Sequence, residues 1–217
     1  MPKPTFFNLP EEKRQALVAA AIDEFAENDF QSASISRLVA NLGIAKGSFY
    51  QYFDDKRDLY FYLIEYVMKE RMDCIHRESG DGKKADYLIY LQDLLETGIR
   101  YDAAYPRHGQ LIYRAMNSNG PLQRESMEQF KSALLDYQRE IITLGISMGK
   151  IDPEIDPEFL AQFLNVVMVD FGRSLMASMN IDPERVKQGD FSQPYTNLMH
   201  EKSRQVIELI FNGIAKK

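Results

Sequence analysis

The sequence predicts an all-α protein of about nine helices, with a compact N-terminal three-helix bundle followed by a larger set of long helices. Three observations carry this. Apolar residues recur at helical spacing through nearly the whole chain. Strand signals are weak, with no sustained period-2 alternation and no hairpin. Proline, glycine and Asp/Asn clusters cut the 217 residues into helix-sized pieces.

The elements follow in order. Pro10 opens the first helix in the favoured early position. Its apolar residues Leu17, Ala20, Ala21, Ile22 and Phe25 share one side, and it stops near Asn28-Asp29. Ser34 is a good N-cap for a short second helix to Leu42. Gly43 then suits a helix C′ position with positive φ. A third short helix covers about Lys46 to Tyr52. Asp54-Asp55 opens a long fourth helix, where acidic residues favour the dipole. After the polar run ESGDGKK, a fifth helix covers about residues 85–105, and a shorter piece runs from Pro106 to Asn117. The Ser118–Pro121 turn leads into a long helix to about Met148, and Gly149 with IDPEIDP makes the next turn. The helix from Pro157 to Met179 is apolar on more than one face, through Phe159, Leu160, Phe163, Leu164, Val166, Val167, Met168 and Phe171. A loop follows, and the last helix runs from about Tyr195 to Asn212. The expected division is residues 1–54 and residues 55–217, with the fourth helix joining the two parts.

Composition excludes several classes. The chain is 45% hydrophobic and 27% charged, an ordinary globular balance. No stretch approaches the roughly 18 apolar residues that span a bilayer, and the first residues lack the apolar core of a signal peptide. Cys74 is alone, so it forms neither an intramolecular disulfide nor a cysteine zinc site. A cytoplasmic protein without membrane association is expected. HExxH, GxSxG and glycine-rich phosphate loops are absent, and His76, His108 and His200 lie far apart in sequence. No enzyme, no cofactor and no metal site are expected.

The net charge of −6 argues against nucleic acid when taken alone. The local charge argues otherwise. Between Gln31 and Arg57 there are four cations (Arg37, Lys46, Lys56, Arg57) against two acids (Asp54, Asp55). A basic stripe can exist on an acidic protein. The same segment, SISRLVANLGIAKGSFYQYFDDKRD, has two short helices separated by a turn containing Gly43. Leu38, Leu42, Ile44 and Phe49 are spaced to face inward and fix the pair at one angle. Such a helix-turn-helix presents its second helix to a DNA major groove while the first crosses the backbone.

The run GIAKGSFYQYFDDKRDLY resembles the signature of the tetracycline-repressor (TetR) family, G-V-S-K-G-T-F-Y-x-Y-F-x-x-K-x-x-L. Gly43, Lys46, Gly47, Phe49, Tyr50, Tyr52, Phe53, Lys56 and Leu59 match as they stand. Ile44 and Ser48 are conservative replacements. Two departures stand out. Ala45 replaces the usual serine and forfeits a side-chain cap on the recognition helix, and Val39 occupies a place usually held by alanine.

The resemblance implies that Ser34, Tyr52 and Lys56 touch phosphates. Lys46, Gly47, Ser48 and Tyr50 sit on the exposed start of the recognition helix, and Gly47 lets the backbone approach the groove. Arg37 and Gln51 complete the candidate DNA contacts. The resemblance also implies a C-terminal domain that dimerises through its last two long helices and encloses a ligand pocket. The apolar faces of the Pro157–Met179 helix and of the last helix (Leu198, Val206, Ile207, Leu209, Ile210, Phe211) independently favour a homodimer. Aromatic and methionine side chains on the middle helices supply an adaptable apolar site. The candidate ligand residues are Tyr101, Tyr105, Tyr113, Met116, Met127, Phe130 and Phe163, with Arg114 and His108 as candidate polar anchors.

The resulting expectation is a ligand-responsive transcriptional regulator, a repressor that binds a pseudo-palindromic operator on double-stranded DNA and is released by a small, mostly apolar effector. Two alternatives stand beside it: a DNA-bound adaptor whose C-terminal part binds a protein and no small molecule, and a redox sensor acting through Cys74.

Overall fold

The structure, a computed structural model, describes residues 1–79, 87–117, 121–178 and 193–214. It is all-α, and the described residues form ten helices and no strand. They are α1 (Pro4–Phe7), α2 (Glu11–Glu27), α3 (Ile35–Asn41), α4 (Lys46–Tyr52), α5 (Lys56–Ser79), α6 (Tyr87–Ala104), α7 (Pro106–Asn117), α8 (Pro121–Ser147), α9 (Pro157–Ser178) and α10 (Gln193–Ile214). The expected count of nine omitted α1. Pro10 is the N-cap residue of α2 and lies just outside the helix. The ESGDGKK run beyond Ser79, the turn residues 118–120 and the loop 180–192 lie outside the described residues.

Two compact units share these helices. The first contains Met1–Lys69 and Tyr105–Met127. Its core gathers Leu17, Val18, Ile22 and Phe25 of α2, Leu38 of α3, Phe49 of α4, and Leu59 and Leu63 of α5. Helix α7 packs on α2 and adds Leu111 and Ala115, which are 0% and 1% exposed. Arg114 of α7 donates from Nε to the Ala26 carbonyl at 2.7 Å and from Nη2 to the Glu27 carbonyl at 3.2 Å. These are terminal carbonyls of α2, which have no partner within their own helix. Arg114 therefore serves as a cap, and the expectation that it anchors a ligand gives way to that role. Arg107 reinforces the contact with an ion pair to Glu27 at 2.7 Å.

The second unit takes the described parts of Glu70–Ala104, Glu128–Arg185 and Phe191–Lys217. Its core holds Ile75, Tyr87, Tyr90, Leu94, Ile142, Ile151, Leu160 and Ala161. Tyr87 donates its hydroxyl to the Ile141 carbonyl at 2.8 Å. Close packing there requires Gly145, since an added Cβ would lie 2.6 Å from Tyr87 Cζ. Arg71 and Asp102 join α5 to α6 through a forked pair at 2.9 and 3.2 Å. Arg139 grips Glu158 with two parallel hydrogen bonds of 2.7 and 2.8 Å, tying α8 to α9. That pairing, with a bond from Gln162, holds the Glu158 carboxyl down at about 2.

The described residues do not cover helix α9 on all sides. Leu160 and Ala161 face the core, whereas Phe159, Phe163 and Val166 are 65%, 48% and 60% exposed. Their spacing of four and three residues places them on one outward face. Leu209 on α10 is 75% exposed. No helix among the described residues is long and apolar enough to cross a membrane.

Candidate nucleic-acid interface

The α3–α4 pair is built by local rules. Ser34 Oγ accepts the Arg37 amide at 3.3 Å and caps α3. At the other end Gly43 takes φ 65°, which only glycine adopts without a steric penalty. The Gly43 amide then donates to the Ala40 carbonyl at 3.1 Å, and the Ile44 amide donates to Val39 at 3.0 Å. This is a Schellman termination. It fixes the turn and delivers Ile44 to the core. Ala45 stands at the N-cap of α4 with no side-chain bond, as its residue type dictates. Phe49 and Phe53, 1% and 0% exposed, hold α4 down, with ring centroids 5.7 Å apart.

The opposite side of α4 faces out. Lys46, Gly47, Tyr50 and Gln51 are exposed, while Ser48 and Tyr52 are half-buried. Tyr50 is 47% exposed and packs edge-on against Phe49 at 5.2 Å, which steadies the ring without covering it. A Cβ on Gly47 would meet nothing within 4 Å. The protein's own packing therefore does not require glycine at this position.

The remaining candidates have internal partners. Arg37 pairs with Glu24 of α2, its Nε lying 2.9 Å from Oε2, and its Nη2 donates to the Ser32 carbonyl at 3.2 Å. Lys56 donates to the carbonyls of Ala33 at 2.9 Å and Gln31 at 3.2 Å, with its ammonium 4.7 Å above the Phe30 ring. Both cations thus hold the loop between α2 and α3. Arg57 pairs with Glu125. Glu24 is the centre of this lock, 7% exposed, and it also accepts the Ser34 amide at 2.8 Å. Burial pushes its carboxyl up. Hydrogen bonds from Arg37 and Ser34, with the charges of Arg37 and Lys56, outweigh burial and hold it below the usual value. The sequence reading missed Glu24, although a lone acid on the buried side of α2 was visible as a residue in need of a cation.

The candidate ligand residues are divided between the two units. Tyr105, Tyr113 and Met127 belong to the first unit, and Tyr101, Phe130 and Phe163 to the second. Tyr101 is buried, Tyr105 is half exposed, and Phe163 lies on the outward face of α9. The Met116 side chain lies outside the described residues. An open depression of about 480 Å³ along α8 is lined by Arg139, Glu140, Thr143, Leu144 and Ser147. His108 stacks on Tyr105 at 5.3 Å. Cys74 is buried and donates to Glu78 at 3.4 Å. Burial, then Glu78, pushes its thiol up, away from the thiolate that redox chemistry uses. Among the described residues no group of acids, histidines and cysteine could hold a metal ion.

Two family models cover most of the chain. Residues 17–63 match "Bacterial regulatory proteins, tetR family", and residues 85–214 match "Tetracyclin repressor-like, C-terminal domain". The chain belongs to the TetR family. Its relatives include a TetR family transcriptional regulator from Chloroflexus aurantiacus J-10-FL, whose crystal structure is 36% identical over 100% of both chains with a TM-score of 0.63. An HTH-type transcriptional regulator of Staphylococcus aureus (strain bovine RF122 / ET3-1) is 39% identical over 70% of this chain and 76% of its own. The Bacillus subtilis regulator FadR, solved in complex with stearoyl-CoA, is 18% identical over 85% of this chain and 96% of its own, with a TM-score of 0.62. This chain is accordingly a helix-turn-helix, DNA-binding transcriptional regulator.

Proposed function

We propose that this TetR regulator is a repressor that binds a pseudo-palindromic operator as a homodimer and leaves it when a small, mostly apolar effector binds. The observation that carries the reading is the outward face of α4. A short helix, fixed by a Schellman turn and two buried phenylalanines, offers Lys46, Gly47, Tyr50 and Gln51 to solvent. Lys46 donates to guanine or phosphate, Tyr50 and Gln51 reach base edges or the backbone, and Ser48 and Tyr52 flank them. The open space over Gly47 lets a duplex approach the helix backbone. Ser34 serves phosphate through the start of α3. Arg37 and Lys56 contribute positive field from their locked positions, and each gains a phosphate contact only by sharing its present partners.

In this reading residues 1–54 bind DNA and residues 55–217 bind effector and partner subunit. Phe159, Phe163 and Val166, exposed along α9, form the seam of an isologous dimer. The stearoyl-CoA complex of the Bacillus subtilis relative supports an effector that carries a long apolar chain. The buried Tyr137 hydroxyl and Gln138 side-chain carbonyl have no hydrogen-bond partner among the described residues, which supports a polar group on that effector. Effector binding shifts the spacing of the two recognition helices from the roughly 34–36 Å of successive major grooves. Helix α5 transmits the shift, with a coupling of about 1–3 kcal/mol.

The test is capture of fragmented genomic DNA by the purified protein, followed by sequencing. A palindromic motif, lost in the Lys46→Ala/Tyr50→Ala double variant, supports the reading. Salt-sensitive capture without a motif refutes sequence-specific repression. Release of the captured motif by long-chain acyl-CoA tests the effector class.

A further inference from the structure

The residues ahead of α2 close off the C-terminal end of the recognition helix. A seven-residue helix is far too short to persist alone. Its last four carbonyls have no partner within the helix, and here each finds one outside it. Phe49 O accepts the Phe53 amide at 3.0 Å. Tyr50 O accepts the Lys3 ammonium at 2.9 Å. Gln51 O accepts the Thr5 hydroxyl, and Tyr52 O accepts the Lys3 amide at 2.8 Å. Lys3 thus bonds twice to α4, and its ammonium also pairs with Asp54 at 2.8 Å, at the entry to α5.

The segment is itself anchored. Pro4 starts a single helical turn, where its missing amide costs nothing. That turn drives Phe6 into the core at 0% exposure. The Phe6 ring lies 5.0 Å from Phe53, 5.2 Å from Tyr62 and 6.5 Å from Tyr52. The aromatic residues just beyond Tyr50 and Gln51 are therefore gripped from the side, while Lys3 and Thr5 hold their carbonyls from the end. The N-terminus of α4, by contrast, has no side-chain cap. The Gly43 turn and Phe49 thus hold α4 from its start and its inner side, and the Lys3–Phe6 segment holds it from its far end.

We propose that Lys3–Phe6 is a strut that positions the recognition helix for DNA, with Lys3 and Thr5 acting as positioning residues that touch neither base nor phosphate. The proposal rests on the reading of α4 as the recognition helix. The Lys3 ammonium is already committed to a carbonyl and a carboxylate, so it differs from the exposed Lys46 on the outward face of α4.

The test uses the full chain and its variants Lys3→Met and Thr5→Val, which keep side-chain bulk and remove the donors. The probe is a duplex selected by the unmodified chain from a random-sequence pool. Affinity is measured across a salt series, and amide exchange of the free proteins is followed in parallel. Each variant is expected to bind about tenfold more weakly, the scale of a charge-assisted or well-placed hydrogen bond lost in each subunit. The salt slope stays unchanged, and exchange quickens at the Tyr50–Phe53 amides while α2 keeps its protection. Unchanged affinity in both variants overturns the proposal. A Lys3→Met slope lower by about one unit or more per dimer also overturns it, because Lys3 would then be a direct phosphate contact. If the pool yields no enriched duplex while exchange at α4 still quickens, the recognition-helix reading fails, and the strut has no role in DNA binding.

Discussion

Replacing Gly47 with alanine separates the two roles that a glycine at the start of a recognition helix can play. Gly47 is the second residue of α4, in a helix whose first turn has no side-chain cap. Its added methyl would touch nothing within 4 Å, so the folded chain gains helix propensity at no packing cost. Gly→Ala in a helix stabilises by roughly 0.5–1 kcal/mol, and the first turn belongs at the low end. For a chain of this size, about 0.5 kcal/mol raises the midpoint of thermal unfolding by about 1–2 °C. The same methyl stands where a duplex would approach. A clash costing about 1 kcal/mol in each subunit sums to about 2 kcal/mol per dimer, or about 30-fold in affinity. Calorimetry and fluorescence anisotropy on a selected duplex read the two effects separately. A more stable protein that binds DNA less well is the expected result. Undiminished affinity would refute the close approach of DNA to α4, and a lowered midpoint would refute the open space around Gly47.

Four further outcomes follow from the geometry. Gly145→Ala, in contrast to Gly47→Ala, should destabilise by about 1–3 kcal/mol because its methyl meets Tyr87 and Ile151 at 2.6–2.7 Å; a neutral effect in denaturant unfolding would refute that packing. Ala45→Ser should add the missing cap on α4 and stabilise by about 1 kcal/mol, read by the same assay. Glu24→Gln should cost about 2 kcal/mol near neutral pH through weakened bonds to Arg37 and Ser34. Because the folded-state Glu24 carboxyl lies below its ordinary 4.5, its contribution is present above that value and is lost as pH falls through the folded value. The difference between wild type and Glu24→Gln should therefore shrink in acid, and a constant difference across a pH series would count against the lock. If α9 forms the proposed dimer seam, Phe163→Glu should place a charge in it at a cost of about 3 kcal/mol or more, loosening the proposed dimer at least about a hundredfold in sedimentation. An unchanged dimer would move the interface elsewhere.

The helices were legible wherever a periodic apolar pattern met a cap or breaker. Ser34, Gly43 and Gly149 each mark an end that the backbone confirms. The four-residue α1 was not legible, since one turn carries no period, and only Pro4 followed by two phenylalanines hinted that it packs. The recognition helix and its outward face were legible because its inward residues, Phe49 and Phe53, alternate with polar ones. The pairing of Arg37 with Glu24 was not, because the partners lie 13 residues apart across a loop. Lys56 reaches back 23 residues to Ala33 in the same way. The ligand candidates are a supply of aromatic and methionine side chains, which by itself names no common face; Tyr105, Tyr113 and Met127 belong to one unit and Tyr101, Phe130 and Phe163 to the other.

The grip of α7 on α2 bears on how this protein can be taken apart. The N-terminal family model ends at residue 63, which invites treating the reading head as an interchangeable cartridge. Yet Leu111 and Ala115 are as deeply buried in that head as Phe49, and Arg114 supplies the stopper for the last turn of α2. A fragment cut at residue 63 would leave an apolar socket open to water and two carbonyls of α2 without their cap. A chimera joining this head to a foreign sensor must therefore import residues 106–117 as well, although they are distant in sequence. The head and the α7 segment share one core, and recombination at the obvious seam would separate what that core has joined.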